Sequence, residues 1–312
     1  MTAIELPLVG AGGESVDLER TLTSHGLAAL PPLEPFPDAV AVRMTLPLRD
    51  GRPRTVEVRE MKPGVVSVAI VGRAASAATR AEIELLVRRV LGLDQDLSGF
   101  YAMTRDDPDL AWVAQGAGRM LRSPTVFEDI VKTICTTNCA WSATIRMVSA
   151  LVEHLGPRAA GAPASGWRGR AFPGPRAMMA AGEDFYRDVV RAGYRGRYFI
   201  ALAETVAEGR VDPERWATTS PAGLTDDEVA AQLQQLPGVG PYAAAHIMMM
   251  LGRHSRLILD SWTRPTYARL TGRREVKDRT IERRFKRYGE YAGLAFWLFL
   301  TRGWVGSEPA AN

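Results

Sequence analysis

Cysteine is scarce in this chain of 312 residues: there are two, Cys135 and Cys139. Two thiols exclude a disulfide framework and cannot supply a four-cysteine zinc or iron–sulfur site. Four apart in an expected helix, they read as reduced, buried thiols of a cytosolic protein. Histidine is sparse too, and His25, His154, His246 and His254 form no ligand cluster along the chain. No apolar run spans a bilayer: Ile247-Met248-Met249-Met250-Leu251 stops at Gly252-Arg253-His254. The start, Met1-Thr2-Ala3-Ile4-Glu5, lacks the charged segment and apolar core of a signal peptide. The net charge of +4 permits a nucleic-acid partner without demanding one. What is plentiful is apolar: a hydrophobic share of 46% supplies a sizeable core and argues against disorder.

Residues 1–37, with Pro31-Pro32, Pro35 and Pro37, read as a short strand or arm and then a loop. Val40, Val42, Met44 and Leu46 alternate with other residues, as do Val56 and Val58, and Asp50-Gly51 between them signals a hairpin. Val65 to Val71 adds a third strand, so an antiparallel sheet is expected. From Ala78 the period changes. Ile83, Leu86, Val87, Val90 and Leu91 fit a helix ended by Gly92. Helices follow at 123–138, 141–155, 183–192, 196–208, 225–235, 241–251, 261–270 and 279–302, with a Pro/Gly-rich loop at 157–175. The expected fold is α+β, mainly α: an N-terminal antiparallel β-rich domain with a flanking helix at 1–110, then an all-helical core at 111–312.

The most informative segment is Leu236-Pro237-Gly238-Val239-Gly240. Val229, Leu233 and Leu236 share one face of the helix before it. Pro241 suits the first turn of the helix after it, where a missing N–H costs little. Glycines permit a tight turn and close approach of another backbone. The new helix N-terminus offers free N–H groups and a positive dipole end to a phosphate. A plain turn between helices has the same ingredients, but the complete motif between an amphipathic and an Ala-rich helix favours DNA. Asp260 follows Leu257-Ile258-Leu259 at an expected helix start. An N-cap role explains it when it is taken alone.

Three stretches together resemble the helix–hairpin–helix (HhH-GPD) superfamily of DNA glycosylases. They are Ser123-Pro124-Thr125-Val126-Phe127-Glu128 leading to Ile134-Cys135-Thr136-Thr137-Asn138, then Ala192-Gly193-Tyr194-Arg195-Gly196-Arg197-Tyr198, and the 236–240 hairpin with Asp260. Leu91-Gly92-Leu93-Asp94 adds a further likeness. The resemblance covers about residues 80–304, and the N-terminal sheet fits the 8-oxoguanine DNA glycosylase and 3-methyladenine DNA glycosylase II branches. One position departs from the first branch. Two residues beyond the hairpin's last glycine, where that branch has a nucleophilic lysine, stands Tyr242. Tyrosine cannot form a Schiff base, so no lyase step is expected.

The resemblance implies an enzyme of DNA base-excision repair, acting as a monomer in the cytoplasm on double-stranded DNA that carries damaged bases. It makes Asp260 the catalytic carboxylate for hydrolysis of the N-glycosidic bond of a flipped, alkylated purine. Tyr242 and His246, four apart on one helix face, would line the base pocket with Phe299. Asn138 would enter the gap left by the flipped base; a helix C-cap is its other reading. Gly238 and Gly240 would present N–H groups to phosphate. The basic stretch from Arg264 to Arg287 is either a solvated face or a phosphate contact, with Arg264 assigned to DNA. No cofactor is required. A structural Na+ or K+ on the backbone carbonyls of Gln234, Leu236 and Val239 is the one ion implied. Two alternatives stay open: a monofunctional 8-oxoguanine-type enzyme, and a DNA-binding protein without activity.

Overall fold

The alternating segments pair as their pattern requires. In the computed structural model, which describes residues 3–217 and 223–305, β1 (Ala3–Pro7), β2 (Leu33–Pro35), β3 (Ala41–Leu46), β4 (Arg54–Lys62) and β5 (Val65–Ile70) form one antiparallel sheet in the order β1-β5-β4-β3-β2. The β3–β4 hairpin turns through Asp50-Gly51 and sets Val42 opposite Val58 and Met44 opposite Val56. The inward set Ile4, Leu6, Val56, Val58, Val66 and Val68 is buried. α1 (Leu18–Leu22) lies between β1 and β2, and α2 (Ala77–Val90) closes the sheet with its buried face of Ile83, Val87 and Val90. Each such aliphatic side chain contributes about 1.5–3 kcal/mol by leaving water.

The rest of the chain is helical: α3 (Ser98–Thr104), α4 (Val126–Thr136), α5 (Trp141–Leu155), α6 (Pro175–Ala180), α7 (Gly182–Asp184), α8 (Arg195–Ala207), α9 (Asp226–Gln234), α10 (Pro241–Met250), α11 (Thr263–Leu270), α12 (Asp278–Phe285) and α13 (Ala292–Thr301). The single helix expected over 279–302 is two helices joined by a tighter turn over Lys286–Tyr291. Gly289 sits there at φ +54°, left-handed backbone that no continuous α-helix contains. Among the described residues no helix is long and apolar enough to cross a membrane.

Two apolar clusters hold these parts together. The larger one joins the sheet and α2 to α4, α5, α8, α9 and α10. The other packs α3 and the turn after it against α11, α12 and α13 through Phe100, Leu110, Phe285, Leu294 and Phe296. Residues 98–110 thus share a core with the C-terminal helices, although they precede the expected boundary at 110. The N-terminal segment is also tied to the helical part by hydrogen bonds. Trp297 Nε1 donates to Ser24 O at 2.8 Å, and Leu121 N donates to Ser24 Oγ at 2.9 Å.

Candidate active site

The site is built where α4, α9, α10 and α11 meet. α9 starts on a capping box, in which Thr225 Oγ1 accepts from Glu228 N and the Glu228 side chain accepts from Thr225 N. Arg253 ties this start to the far end of α10: its Nη1 donates to Asp226 Oδ1 at 2.8 Å and its Nε to Trp216 O at 2.7 Å. The hairpin between α9 and α10 is therefore fastened at its base and free at its tip. At that tip Gly238 has φ +82°, and a Cβ there would fall 2.9 Å from Tyr198 Cδ2. Gly240 is the N-cap of α10 in extended backbone, exposed, with nothing within 4 Å of where a Cβ would stand. One glycine is needed by conformation and the other leaves space outside the helix N-terminus.

The loop after α4 faces this hairpin. Asn138 is exposed at φ 47°, the left-handed conformation an asparagine tolerates at a helix end. The backbone ends the helix, and the exposed side chain donates from Nδ2 to Tyr194 Oη at 3.4 Å. Arg195 holds the loop from beneath by donating to Thr137 O, with its guanidinium 4.6 Å from the Tyr194 ring centroid.

Asp260 uses its two carboxylate oxygens differently. Oδ1 accepts from Trp262 N at 2.8 Å and from Thr263 N at 2.6 Å, and Asp260 N donates to Thr263 Oγ1 at 2.8 Å. These bonds cap the start of α11 and fix the carboxylate plane. Oδ2 takes no hydrogen bond among the described residues. Asp260 lines a cleft of about 850 Å³ together with Asn138, Gly238, Gly240, Gln234, Leu236, Val239 and Tyr242.

Behind that cleft lies a cavity of about 260 Å³. Tyr242, Thr136 and Cys139 line both spaces, so they stand at the passage between them. The Tyr242 and His246 rings meet edge to face at 4.7 Å, and His246 meets Trp297 at 6.0 Å. Burial pushes the Tyr242 hydroxyl up, with the Asp260 charge adding to it. Burial pushes His246 down to about 4; neighbouring His25 acts the same way and Asp260 opposes it. Both groups are neutral at pH 7. The Nε2 atom of His246 is shielded from solvent and has no hydrogen-bond partner among the described residues.

Phe299 does not reach this cavity. It is buried against Tyr267 and Phe285, each 5.8 Å away, because it follows Trp297 by two residues and falls on another face of α13. Trp297 lines the cavity instead. Arg264 is not a free cation. Its Nε and Nη2 clasp the two oxygens of Asp278 at 2.7 and 2.9 Å. Arg284 and Arg287 are similarly paired with Asp109 and Asp107. Lys277, Arg279, Arg283 and Lys286 make no ion pair among the described residues, and they line a groove of about 1240 Å³ that reaches Gln234 and Pro241.

Several lining residues have no counterpart in the sequence reading. His25 enters from the N-terminal segment, with its Nε2 2.7 Å from Leu121 O and its Nδ1 accepting from Leu27 N at 3.3 Å. Burial holds it down at about 4. No local signal announces it, because its partners lie far along the chain. Trp141 fills the side of the cavity next to Gly26, where a Cβ would fall 2.8 Å from the Trp ring. Lys132 also lines the cavity; the signal for it was a cation four residues after Glu128 in a helix that is buried along nearly its whole length. Among the described residues no group of three or more His, Cys, Asp or Glu could hold a metal ion. The Leu236 carbonyl accepts from Val239 N at 3.1 Å, and its second lone pair leaves it able to ligate a cation with the carbonyls of Gln234 and Val239.

No family model and no curated protein matches the sequence. Solved structures do match over almost the entire chain. A structure of MBOgg1 in complex with a low-affinity DNA ligand aligns with a TM-score of 0.73 at 18% identity, covering 98% of this chain and 97% of that one. The 3-methyladenine DNA glycosylase from Archaeoglobus fulgidus aligns with a TM-score of 0.71 at 20% identity, covering 98% and 100%. This chain has the DNA glycosylase fold. An 8-oxoguanine glycosylase/lyase from Clostridium acetobutylicum aligns over 86% of this chain and 98% of its own, with a TM-score of 0.61 at 19% identity. The expected α+β layout, a β-rich N-terminal part followed by a helical core with the hairpin, is the layout observed.

Proposed function

We propose that this chain is a monofunctional DNA glycosylase that hydrolyses the N-glycosidic bond of a damaged purine flipped out of duplex DNA. The observation that carries this reading is the pair of connected spaces: a cleft holding the hairpin and the open oxygen of Asp260, and behind Tyr242 a cavity with room for one base. Gly238, Gly240 and the start of α10 would bind the phosphate backbone, and Asn138 would enter the gap left in the stack. The base would pass Tyr242 and rest against His246 and Trp297. As the bond breaks, its electron pair leaves with the base and positive charge grows on the sugar near C1′. Asp260 Oδ2, not engaged elsewhere, stabilises that charge and orients the water whose oxygen bonds to C1′. One proton of that water is lost, and the departing base takes up one proton.

Tyr242 at the position of the lysine in lyases supports hydrolysis without a Schiff base. A protein that binds DNA without activity is disfavoured, because Oδ1 alone satisfies the capping role and Oδ2 takes no hydrogen bond among the described residues. Two lesion classes fit the aromatic lining, alkylated purines and 8-oxoguanine-type bases. A monovalent cation on the Gln234, Leu236 and Val239 carbonyls would stiffen the hairpin, so duplex affinity would drop when K+ and Na+ are replaced by a bulky organic cation at equal ionic strength.

The decisive experiment uses duplexes carrying single damaged purines, with and without hot alkali. Base release that yields strand breaks only after alkali is the expected result. Strand cleavage without alkali, together with a covalent adduct trapped by borohydride, would overturn the monofunctional mechanism.

A further inference from the structure

The cavity behind Tyr242 is lined by one formally charged side chain. Lys132 is buried, its side chain only 2% exposed, and it lines the cavity from α4. Its Nζ lies 2.6 Å from Glu128 Oε1, one helical turn earlier. Glu128 does not line the cavity, so Lys132 is the member of the pair that belongs to its wall. A buried pair of this kind gains no more stability than two apolar side chains would, because both ions must be stripped of water. Its presence therefore needs another explanation.

Hydrogen bonding supplies one. An ammonium has three donors and no acceptor. Nζ makes no hydrogen bond of sound geometry with any described residue; besides Glu128 it has the Phe172 ring, 5.7 Å away. His246 Nε2 is a second buried atom at the same cavity with no partner. His25, by contrast, is satisfied at both ring nitrogens. The cavity thus offers a charged donor and an imidazole nitrogen between the rings of Tyr242, Trp141 and Trp297.

We infer that Lys132 is a specificity-determining residue of the base pocket: its ammonium donates to a carbonyl oxygen on the edge of the flipped purine and excludes purines that carry a positive charge. This rests on the glycosylase reading and narrows it. Purines oxidised or deaminated to a 6-oxo or 8-oxo form present such an oxygen and are neutral. Purines methylated at N3 or N7 are cationic. Their electron-poor rings would stack well on Tyr242, but they meet the like charge of the buried ammonium, which Glu128 offsets only in part. The charge of Lys132, not the aromatic lining, then decides the lesion class. His246 Nε2 reads the same edge as donor or acceptor by choice of tautomer.

The test measures initial rates of base release from duplexes containing 8-oxoguanine, hypoxanthine or 7-methylguanine. The wild-type chain is expected to release one of the oxo-purines at least about tenfold faster than 7-methylguanine. Replacing Lys132 alone would strand Glu128, so the pair is removed together as Lys132→Met with Glu128→Gln. That variant is expected to lose the preference about tenfold or more, partly by gaining rate on 7-methylguanine. Lys132→Arg, which keeps the charge, is expected to retain it. Wild-type release of 7-methylguanine as fast as of both oxo-purines would overturn the inference while leaving the glycosylase reading intact, as would an unchanged preference in the double variant. Folded protein that releases none of the three would overturn both.

Discussion

Individual side chains in this site carry more than one duty, and the duties can be separated by substitution. Asp260 caps α11 with Oδ1, while Oδ2 takes no hydrogen bond among the described residues. Asn caps a helix as well as Asp does. Asp260→Asn is therefore expected to melt within about 0.5 kcal/mol of wild type and to bind duplex normally. Its rate of base release should fall about 10²–10³-fold, the usual loss when one electrostatic stabiliser of a transition state is removed. Undiminished release would remove Asp260 from the chemistry. His246 carries a different burden. Its pKa is held at about 4 in the folded chain, against an ordinary 6.5. Between those values the unfolded chain binds a proton that the folded chain refuses. The stability this group contributes is thus complete above pH 6.5 and is lost as pH falls toward 4. Asp129, pushed up to about 6 by burial, acts in the opposite sense: it favours the folded chain at low pH and loses that contribution as pH rises through 6. Substitution isolates the histidine. His246→Phe should flatten the decline in stability between pH 7 and pH 5 by about 1–2 kcal/mol relative to wild type, measured by denaturant unfolding at both values. Identical declines would mean that His246 is not held neutral by the fold.

The hairpin shows how differently two glycines of one motif behave. Gly238→Ala must place an L residue at φ +82° and push a methyl into Tyr198, so it should lose at least about 1–2 kcal/mol of stability. Gly240→Ser meets no such obstacle, and serine is a good N-cap, so stability should hold or rise. The new side chain fills the space outside the start of α10, however, and duplex affinity should fall about tenfold, equivalent to about 1.4 kcal/mol. Both quantities come from chemical denaturation and a fluorescence-anisotropy titration. Unchanged affinity for Gly240→Ser would deny the hairpin its phosphate. At this scale the sequence was informative where the determinants are local. The β3–β4 hairpin follows from alternation around Asp50-Gly51, α9 from the spacing of Val229, Leu233 and Leu236, and α10 from Pro241. The break at Gly289 was missed because the apolar period of α12 and α13 hides one left-handed residue. The wall of the cavity beyond Tyr242 and His246 was missed for another reason. His25, Lys132, Trp141 and Trp297 come from four separate parts of the chain, and only tertiary packing brings them together. Phe299 was misplaced by the same limit, since a run of aromatics does not reveal which member turns toward the site.

For the molecule as a whole, modest net charge conceals an uneven distribution. The acids Asp107, Asp109 and Asp278 neutralise Arg287, Arg284 and Arg264 in place. Lys277, Arg279, Arg283 and Lys286, which make no ion pair among the described residues, line a groove that runs up to Gln234 and Pro241 at the hairpin. On the proposed reading the hairpin would bind phosphate through backbone N–H groups, which carry no formal charge and release no counterion of their own. The basic groove, continuous with it, can neutralise further phosphates along the duplex, and only that contribution depends steeply on salt. Lys277→Gln with Arg283→Gln should therefore weaken binding to damaged and undamaged duplex alike, and should lower the slope of log affinity against log salt concentration by about 1–2. Arg264→Gln should leave that slope unchanged, because Asp278 already neutralises its charge. Affinity titrations between low and physiological salt distinguish these outcomes. A slope altered by Arg264→Gln but not by the pair would place the duplex over α11 rather than along α12, and would move the path of the DNA away from the groove.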